Sequence, residues 1–280
     1  MNDVLVPTGT LERPSIQWLL GCSALYELLA LALAYPDDET LERAAVLAED
    51  LRGHLVVAER RLGAPLDRLT SALRGVEAEQ LAPVYFALFE GSVLCSPHET
   101  EYIRDPLAKA AQLADIAGFY AAFGLKVSRL HQTTPDEICT ELEFMALLTR
   151  KEVYASVRRW TEHQEVTRDA GRRFLESHLG RWSEAFAAAL CDHADEAAGS
   201  RDDPAAARWF HAVGDLLRFV VQAEMDELGV YPSLLTARFP DPDPGSLVCP
   251  MAADPAPDED LPLGGALGGA LGIIRAPGTE

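Results

Sequence analysis

Apolar residues return every three or four positions through most of the chain up to residue 228, which is the spacing of one helix face, and no segment alternates with period two. The pattern predicts a helix over 16–35 with Leu19, Cys22, Tyr26, Leu29 and Leu33 on one side, closed by Pro36, which biases Tyr35 out of helix. A second helix, over 39–61, turns Leu41, Ala44, Ala45, Ala48, Leu51 and Leu55 inward and ends at Gly63 to Pro65. Short helices follow over 66–73 and 81–89, the latter with Tyr85, Leu88 and Phe89 along one stripe. Residues 92–105 read as a polar connection carrying Pro97, Glu99, Glu101 and Tyr102. Residues 106–123 form a helix whose close-packing side is Leu107, Ala110, Ala111, Ala114, Ala117 and Ala121, with Gly124 as its stop. A long helix over 166–191 aligns Leu175, Leu179, Trp182, Phe186 and Leu190, and a last one over 205–228 aligns Phe210, Val213, Leu217, Val220, Val221 and Met225. The sum is an all-α fold, a single helical bundle.

One stretch, 133–152, superimposes start chemistry, a core stripe and a carboxylate cluster. Thr134 is placed to cap, Pro135 occupies the first helical position and Glu137 completes a capping box, so a helix is predicted from here toward residue 163. Ile138, Leu142, Met145 and Thr149 make its core face. Glu137, Glu141, Phe144 and Leu148 fall on the adjacent face, where two acids one turn apart repel by a few tenths of a kcal/mol. Acid beside apolar area suits a partner that carries cations next to a hydrophobic segment, although Asp136 and Glu137 are also what a helix N-terminus favours.

Composition changes beyond residue 239, where Asp-Pro, Pro-Ala-Pro and Gly-Gly runs dominate. The expected organisation is a flexible start over 1–14, a helical domain over 15–239 and a mobile, Pro/Gly-rich acidic tail over 240–280. The segment 16–35 is apolar enough to suggest a membrane span, but Glu27 sits at its middle, at a cost of about 2.5–3.5 kcal/mol in lipid, and its stripe suits a buried helix. No stable membrane insertion is expected.

A content of 48% hydrophobic residues in 280 supports one substantial core. A formal charge of −20 argues against a nucleic-acid backbone as partner and favours cationic segments. The five cysteines are scattered without a CxxC pair and the seven histidines lack ligand spacing, so neither a disulfide framework nor a metal site is indicated, and a reducing, cytoplasmic setting fits. There is no phosphate-binding loop, dinucleotide fingerprint or nucleophile elbow, so binding outranks catalysis and no cofactor is called for. The candidate surface combines Tyr85, Leu88 and Phe89 with Glu99, Glu101 and Tyr102 and with Asp136, Glu137, Glu141 and Phe144.

The run Tyr85-Phe86-Ala87-Leu88-Phe89, the loop ending Glu101-Tyr102 and Pro135-Asp136 followed by Glu141-Leu142-Glu143-Phe144-Met145 form a set. Together with Phe174-Leu175, His178-Leu179, Trp182 and Phe186, the most specific part, they resemble the TorD/DmsD/NarJ family over about 19–228. These are dedicated maturation chaperones of molybdenum oxidoreductases. The resemblance implies an all-α fold of the TorD-like kind and a cytoplasmic protein without catalysis of its own, occurring as a monomer or a swapped dimer. It implies a partner as well: the apo catalytic subunit of a molybdopterin oxidoreductase, held through its twin-arginine leader or a nearby part until the cofactor is inserted. Tyr85, Leu88, Phe89, Asp136 and Glu137 match family positions that contribute to leader recognition. Two departures stand out, Glu137 where many members carry His, and Thr133-Thr134 where an acid often precedes the Pro-Asp pair. His178 is read as structural. The NarJ-like branch supplies an alternative, an assembly factor that grips the client body and ignores leaders. The tail with Cys249-Pro250-Met251 resembles chaperones of dehydrogenases and reductases for selenate, chlorate or hydrocarbon substrates.

Overall fold

The computed structural model describes residues 15–55, 60–91, 93–127, 134–199, 204–235 and 273–275. Its first helix, α1 (Ile16–Leu33), starts where Ser15 Oγ accepts the Trp18 N–H at 3.1 Å. In α2 (Asp38–Leu55) the Asp37 carboxylate does the same for Thr40 at 2.7 Å. Next come α3 (Arg60–Leu73), α4 (Ala78–Phe89) and a single 3-10 turn (Glu99–Tyr102). Asp105 caps α5 (Pro106–Ala122), with proline in the first turn, and Gly124 stops it at a φ of 72°. The remaining helices are α6 (Ile138–Arg158), α7 (Thr161–Ser177), α8 (Leu179–Gly199) and α9 (Pro204–Leu228). The all-α expectation holds, with one addition: β1 (Leu125–Val127) pairs antiparallel with β2 (Ile273–Arg275). Within the expected tail, residues 273–275 therefore lie against the bundle, while the rest of it, Cys249 included, and residues 1–14 fall outside the described residues.

α1 is apolar on every side, and twelve of its residues are buried, from Leu19 to Leu33. It therefore sits in the middle, packed by α2, α6 and α9, while α8 pairs with α9 and α7 lies on α6. By length and composition α1 could cross a membrane. Here its surroundings are protein side chains, and Glu27 comes out at the edge to meet Arg150 of α6 at 2.8 Å. Ser23 Oγ donates to the Ala146 carbonyl at 2.9 Å, so equal steps along α1 and α6 stay in register and the two run parallel. Trp182, Trp209, Phe144, Phe174, Phe186 and Phe210 fill the core, each worth about 1.5–3 kcal/mol of burial.

Four boundaries and one face differ from the sequence reading. Gly63 to Pro65 lie inside α3 rather than ending the second helix; Pro65, sixth in α3, forfeits an amide hydrogen bond, which its burial beside the core residues Leu66 and Leu69 offsets. α6 begins after Glu137, because the Thr134 hydroxyl donates to Asp136 at 2.5 Å and leaves the capping to Glu137, whose carboxylate accepts the Thr140 N–H at 3.2 Å. It ends at Arg158 rather than near 163, with Arg159 left-handed at φ 58° and the Trp160 N–H returning to the Ala155 carbonyl at 2.9 Å. The long helix over 166–191 is two, broken at His178. The alanine side predicted to pack in α5 faces water; Ile116 and Tyr120 are buried instead, because aromatic and branched side chains remove more apolar area from water than alanines do.

The α7–α8 break depends on Gly180. A Cβ there would stand 2.4 Å from the Leu175 carbonyl oxygen and 2.9 Å from Met225 Sδ, whereas at Gly171 the nearest atom is 3.9 Å away. Gly180→Ala is expected to cost about 1–3 kcal/mol by urea unfolding, with Gly171→Ala near neutral.

Candidate functional site

The first turn of α6 is tied to the loop before α5. Pro97 accepts the Ile138 N–H at 2.9 Å, Asp136 accepts the Glu99 N–H at 2.9 Å, and His98 bridges Glu137 in antiparallel fashion. The Asp136 carboxylate completes the clasp by accepting the Thr100 hydroxyl at 2.6 Å and the Thr100 N–H at 3.2 Å. Burial alone would raise the Asp136 pKa, but hydrogen bonds and the His98 charge outweigh it and hold the carboxyl far below its usual range. His98 Nδ1 stands 3.7 Å from Asp136, an ion-pair distance rather than a hydrogen bond. Burial would lower the His98 pKa; the nearby carboxylates overcome that and raise it.

Deeper in, Glu99 is fully buried and accepts the Gln112 amide at 2.6 Å. Its other oxygen faces His178 Nδ1 at 3.2 Å. Asp115 stands 3.3 Å from His178 Nε2, close enough for attraction but not aligned, so that buried nitrogen has no hydrogen bond. His178 is thus held between carboxylates on a packed helix end, as its structural reading requires. Glu141 accepts the Trp182 indole N–H at 3.1 Å through one oxygen, while the other receives no N–H and the carboxyl lies against that of Glu99. Burial, then the charge of Glu99, drives its pKa well above the carboxylate range. Tyr120 of α5 reaches into this cluster, with Glu141, Glu137, Glu99 and Asp136 around it, and donates to the Pro135 carbonyl at 2.7 Å. Its ring meets Phe144 at 4.8 Å, and Phe144 meets Phe174 at 4.9 Å.

The predicted surface is therefore split in two. Leu88, Phe89, Glu99, Tyr102, Asp136, Glu141 and Phe144 are buried, which corrects the expectation that the Glu141, Phe144 and Leu148 face meets a partner directly. Trp182 of α8 takes Glu141, Tyr120 of α5 and Phe174 of α7 enclose Phe144, and α7 lies against Leu148. Tyr102 stacks toward Trp182 at 5.2 Å and donates to the Ser96 carbonyl, so the loop read as a polar connection is largely core. Glu101 is exposed and pairs with Lys109 at 2.9 Å. Tyr85 and Glu137 are the half-buried members at the rim, and they are neighbours. Tyr85 lies between Tyr35, at 5.5 Å, and Phe89, at 4.8 Å, with Glu90 nearby. Tyr35 extends the rim, and both it and Phe86, the next residue after Tyr85 on α4, are 55% exposed. Sequence reasoning missed Tyr35, Phe86, Glu90, Thr100, Gln112 and Tyr120. The four-residue step from Ile116 to Tyr120 was a usable signal, whereas nothing local marks Thr100 as the donor to Asp136.

Among the described residues no group of three or more His, Cys, Asp or Glu side chains is placed to hold a metal ion. The arrangement offers carboxylates and aromatic rings, which is chemistry for binding a cation beside an apolar group.

The His98–Asp136 pair has a signed pH dependence. The raised His98 pKa makes its contribution complete below about pH 6.5 and lost as pH rises through the folded value. The depressed Asp136 pKa makes its contribution present above about pH 3.9 and lost only as pH falls through the folded value. Urea titrations should show His98→Gln destabilising the protein more at pH 5.5 than at pH 8.5; an equal effect at both would separate His98 from Asp136.

The family model described as nitrate reductase delta subunit matches residues 58–188. The chain is 34% identical over 154 residues to the selenate reductase assembly chaperone protein of Thauera selenatis, covering 54% of this chain and 72% of the relative. It is 27% identical over 226 residues to the perchlorate reductase assembly chaperone protein of Dechloromonas aromatica (strain RCB), covering 75% of this chain and 90% of that one. With the helical bundle and its carboxylate–aromatic site in place, these likenesses make the chain a member of the nitrate reductase delta subunit family, the NarJ/TorD group.

Proposed function

We propose that this protein is a maturation chaperone for the catalytic subunit of a molybdopterin-dependent oxidoreductase. It binds the apo form through its twin-arginine leader in the cytoplasm, holds it for cofactor insertion, and catalyses no reaction itself. Two relatives bear the names of assembly chaperones for selenate and perchlorate reductases, and the client proposed here is a reductase of that oxyanion-reducing kind.

The observation that carries this reading is the rim, where Tyr35 packs on Tyr85 beside Glu90 and Glu137, with Phe86 exposed next along α4. A twin-arginine leader presents two guanidinium groups and then an apolar run. The acids suit the former and the rings the latter. Exposed ion pairs yield about 0–1 kcal/mol each, so most of the affinity comes from apolar burial while the carboxylates steer and orient.

Calorimetric titration of a client leader tests this. Tyr85→Ala with Phe86→Ala should weaken binding by at least about tenfold, the loss typical of truncated interface aromatics. Glu90→Gln with Glu137→Gln, which keeps an α6 capping oxygen, should cost a few-fold and flatten the salt dependence. Unchanged binding in both would refute the rim. Equal capture of a client that lacks its leader would instead favour recognition of the enzyme body.

A further inference from the structure

Two of the predicted client-binding residues, Glu99 and Phe144, lie under side chains of one helix, α5. Of the seventeen residues in α5 only Ile116 and Tyr120 are buried, and Leu107 at its start is 87% exposed. Its principal packing partners are β1 and the Glu99–Tyr102 turn, in place of a broad helix–helix interface. What keeps it down is a short set of contacts. The Gln112 amide donates to Glu99 at 2.6 Å and to the Ser177 carbonyl at 3.2 Å, and Tyr120 donates to Pro135 at 2.7 Å. Phe119 meets Phe174 at 5.4 Å, edge to face.

Those contacts have a chemical character. The Gln112 side chain offers a planar N–H donor to a buried carboxylate, as a guanidinium does, and the Tyr120 ring fills an aromatic site among four acids. The imitation is incomplete, because Glu141, at zero exposure and against the Glu99 carboxyl, has an oxygen that receives no N–H. An amide has two N–H donors, whereas a guanidinium has five in a fixed plane and can serve two carboxylates together.

We infer that α5 is a displaceable cover whose Gln112 and Tyr120 hold the place of a client's arginine and its apolar neighbour, so that lifting α5 opens a second, inner site lined by Glu99, Glu141 and Phe144. The inference rests on the leader-binding reading above and extends it from the rim inward. An arginine entering there replaces Gln112 on Glu99 and gives an N–H to the Glu141 oxygen that receives none here. A lysine fits less well, since its point charge cannot bridge two acids in one plane.

A closed cover taxes binding, because observed affinity is the intrinsic affinity multiplied by the fraction of molecules that are open. Weakening α5 should therefore tighten binding, the reverse of what loss of a contact surface does. The probe is a synthetic twenty-residue peptide with two adjacent arginines followed by a leucine–alanine run, titrated by fluorescence anisotropy into the full chain. Gln112→Ala and Ile116→Ala should each raise its affinity about five- to tenfold. Phe119→Leu serves the same purpose if either variant loses its cooperative melt. Amides of residues 106–122 should exchange faster once the peptide is bound, and a lysine-for-arginine peptide should bind several-fold more weakly. Unchanged or reduced affinity in folded cover variants, or protection of 106–122 by the peptide, overturns the cover while leaving the rim intact. A peptide that binds neither wild type nor any variant removes both readings.

Discussion

Four carboxylates, Glu99, Asp136, Glu137 and Glu141, lie around the ring of Tyr120, and removing so much acid from water is the cost that the surrounding structure must offset. Each is handled differently. Asp136 collects Thr100, Thr134 and His98, Glu137 turns its oxygen to the α6 N-terminus, and Glu141, its pKa raised by burial and by Glu99, takes the Trp182 N–H. Glu99 leans on Gln112 and on His178, the residue at the α7–α8 break. The clasp between the α4–α5 loop and the start of α6 follows from these solutions.

The helices and their core stripes were legible wherever periodicity was unbroken. Leu19 to Leu33, Ile138 to Thr149 and Phe210 to Met225 are buried as their spacing required. Breaks were legible only where a local residue causes them, as at Pro36 and Gly124. Those at Arg159 and His178 have tertiary causes: a left-handed turn without glycine in one case, and a histidine drawn toward Glu99 in the other. The cap at Thr134 was misplaced because its hydroxyl had a second acceptor two residues on, which a rule about local spacing does not weigh.

For the site, the sequence singled out acids and rings without their depth. Tyr85 and Glu137 are neighbours at the rim, whereas Glu141 and Phe144 are inside. Depth was hidden because it depends on where α5, α7 and α8 pack, and the alanines of α5 suggested the wrong inward face. Glu137 explains how a position that is often histidine in relatives tolerates an acid here. One oxygen of its carboxylate already accepts the N–H and the hydroxyl of Thr140 at the start of α6.

α1 has its own history to settle. Its contacts with α6 join residues 123 apart in the chain, for example Ser23 with Ala146. At a ribosomal pace of about 5–20 residues per second, the most apolar of the described helices waits roughly 6–25 s for that neighbour to be made. During that interval it is a segment long and apolar enough to cross a membrane, without the side chains that cover it in the finished fold. Glu27, which the finished fold merely neutralises with Arg150, is then the residue that marks the nascent segment as unsuited to lipid.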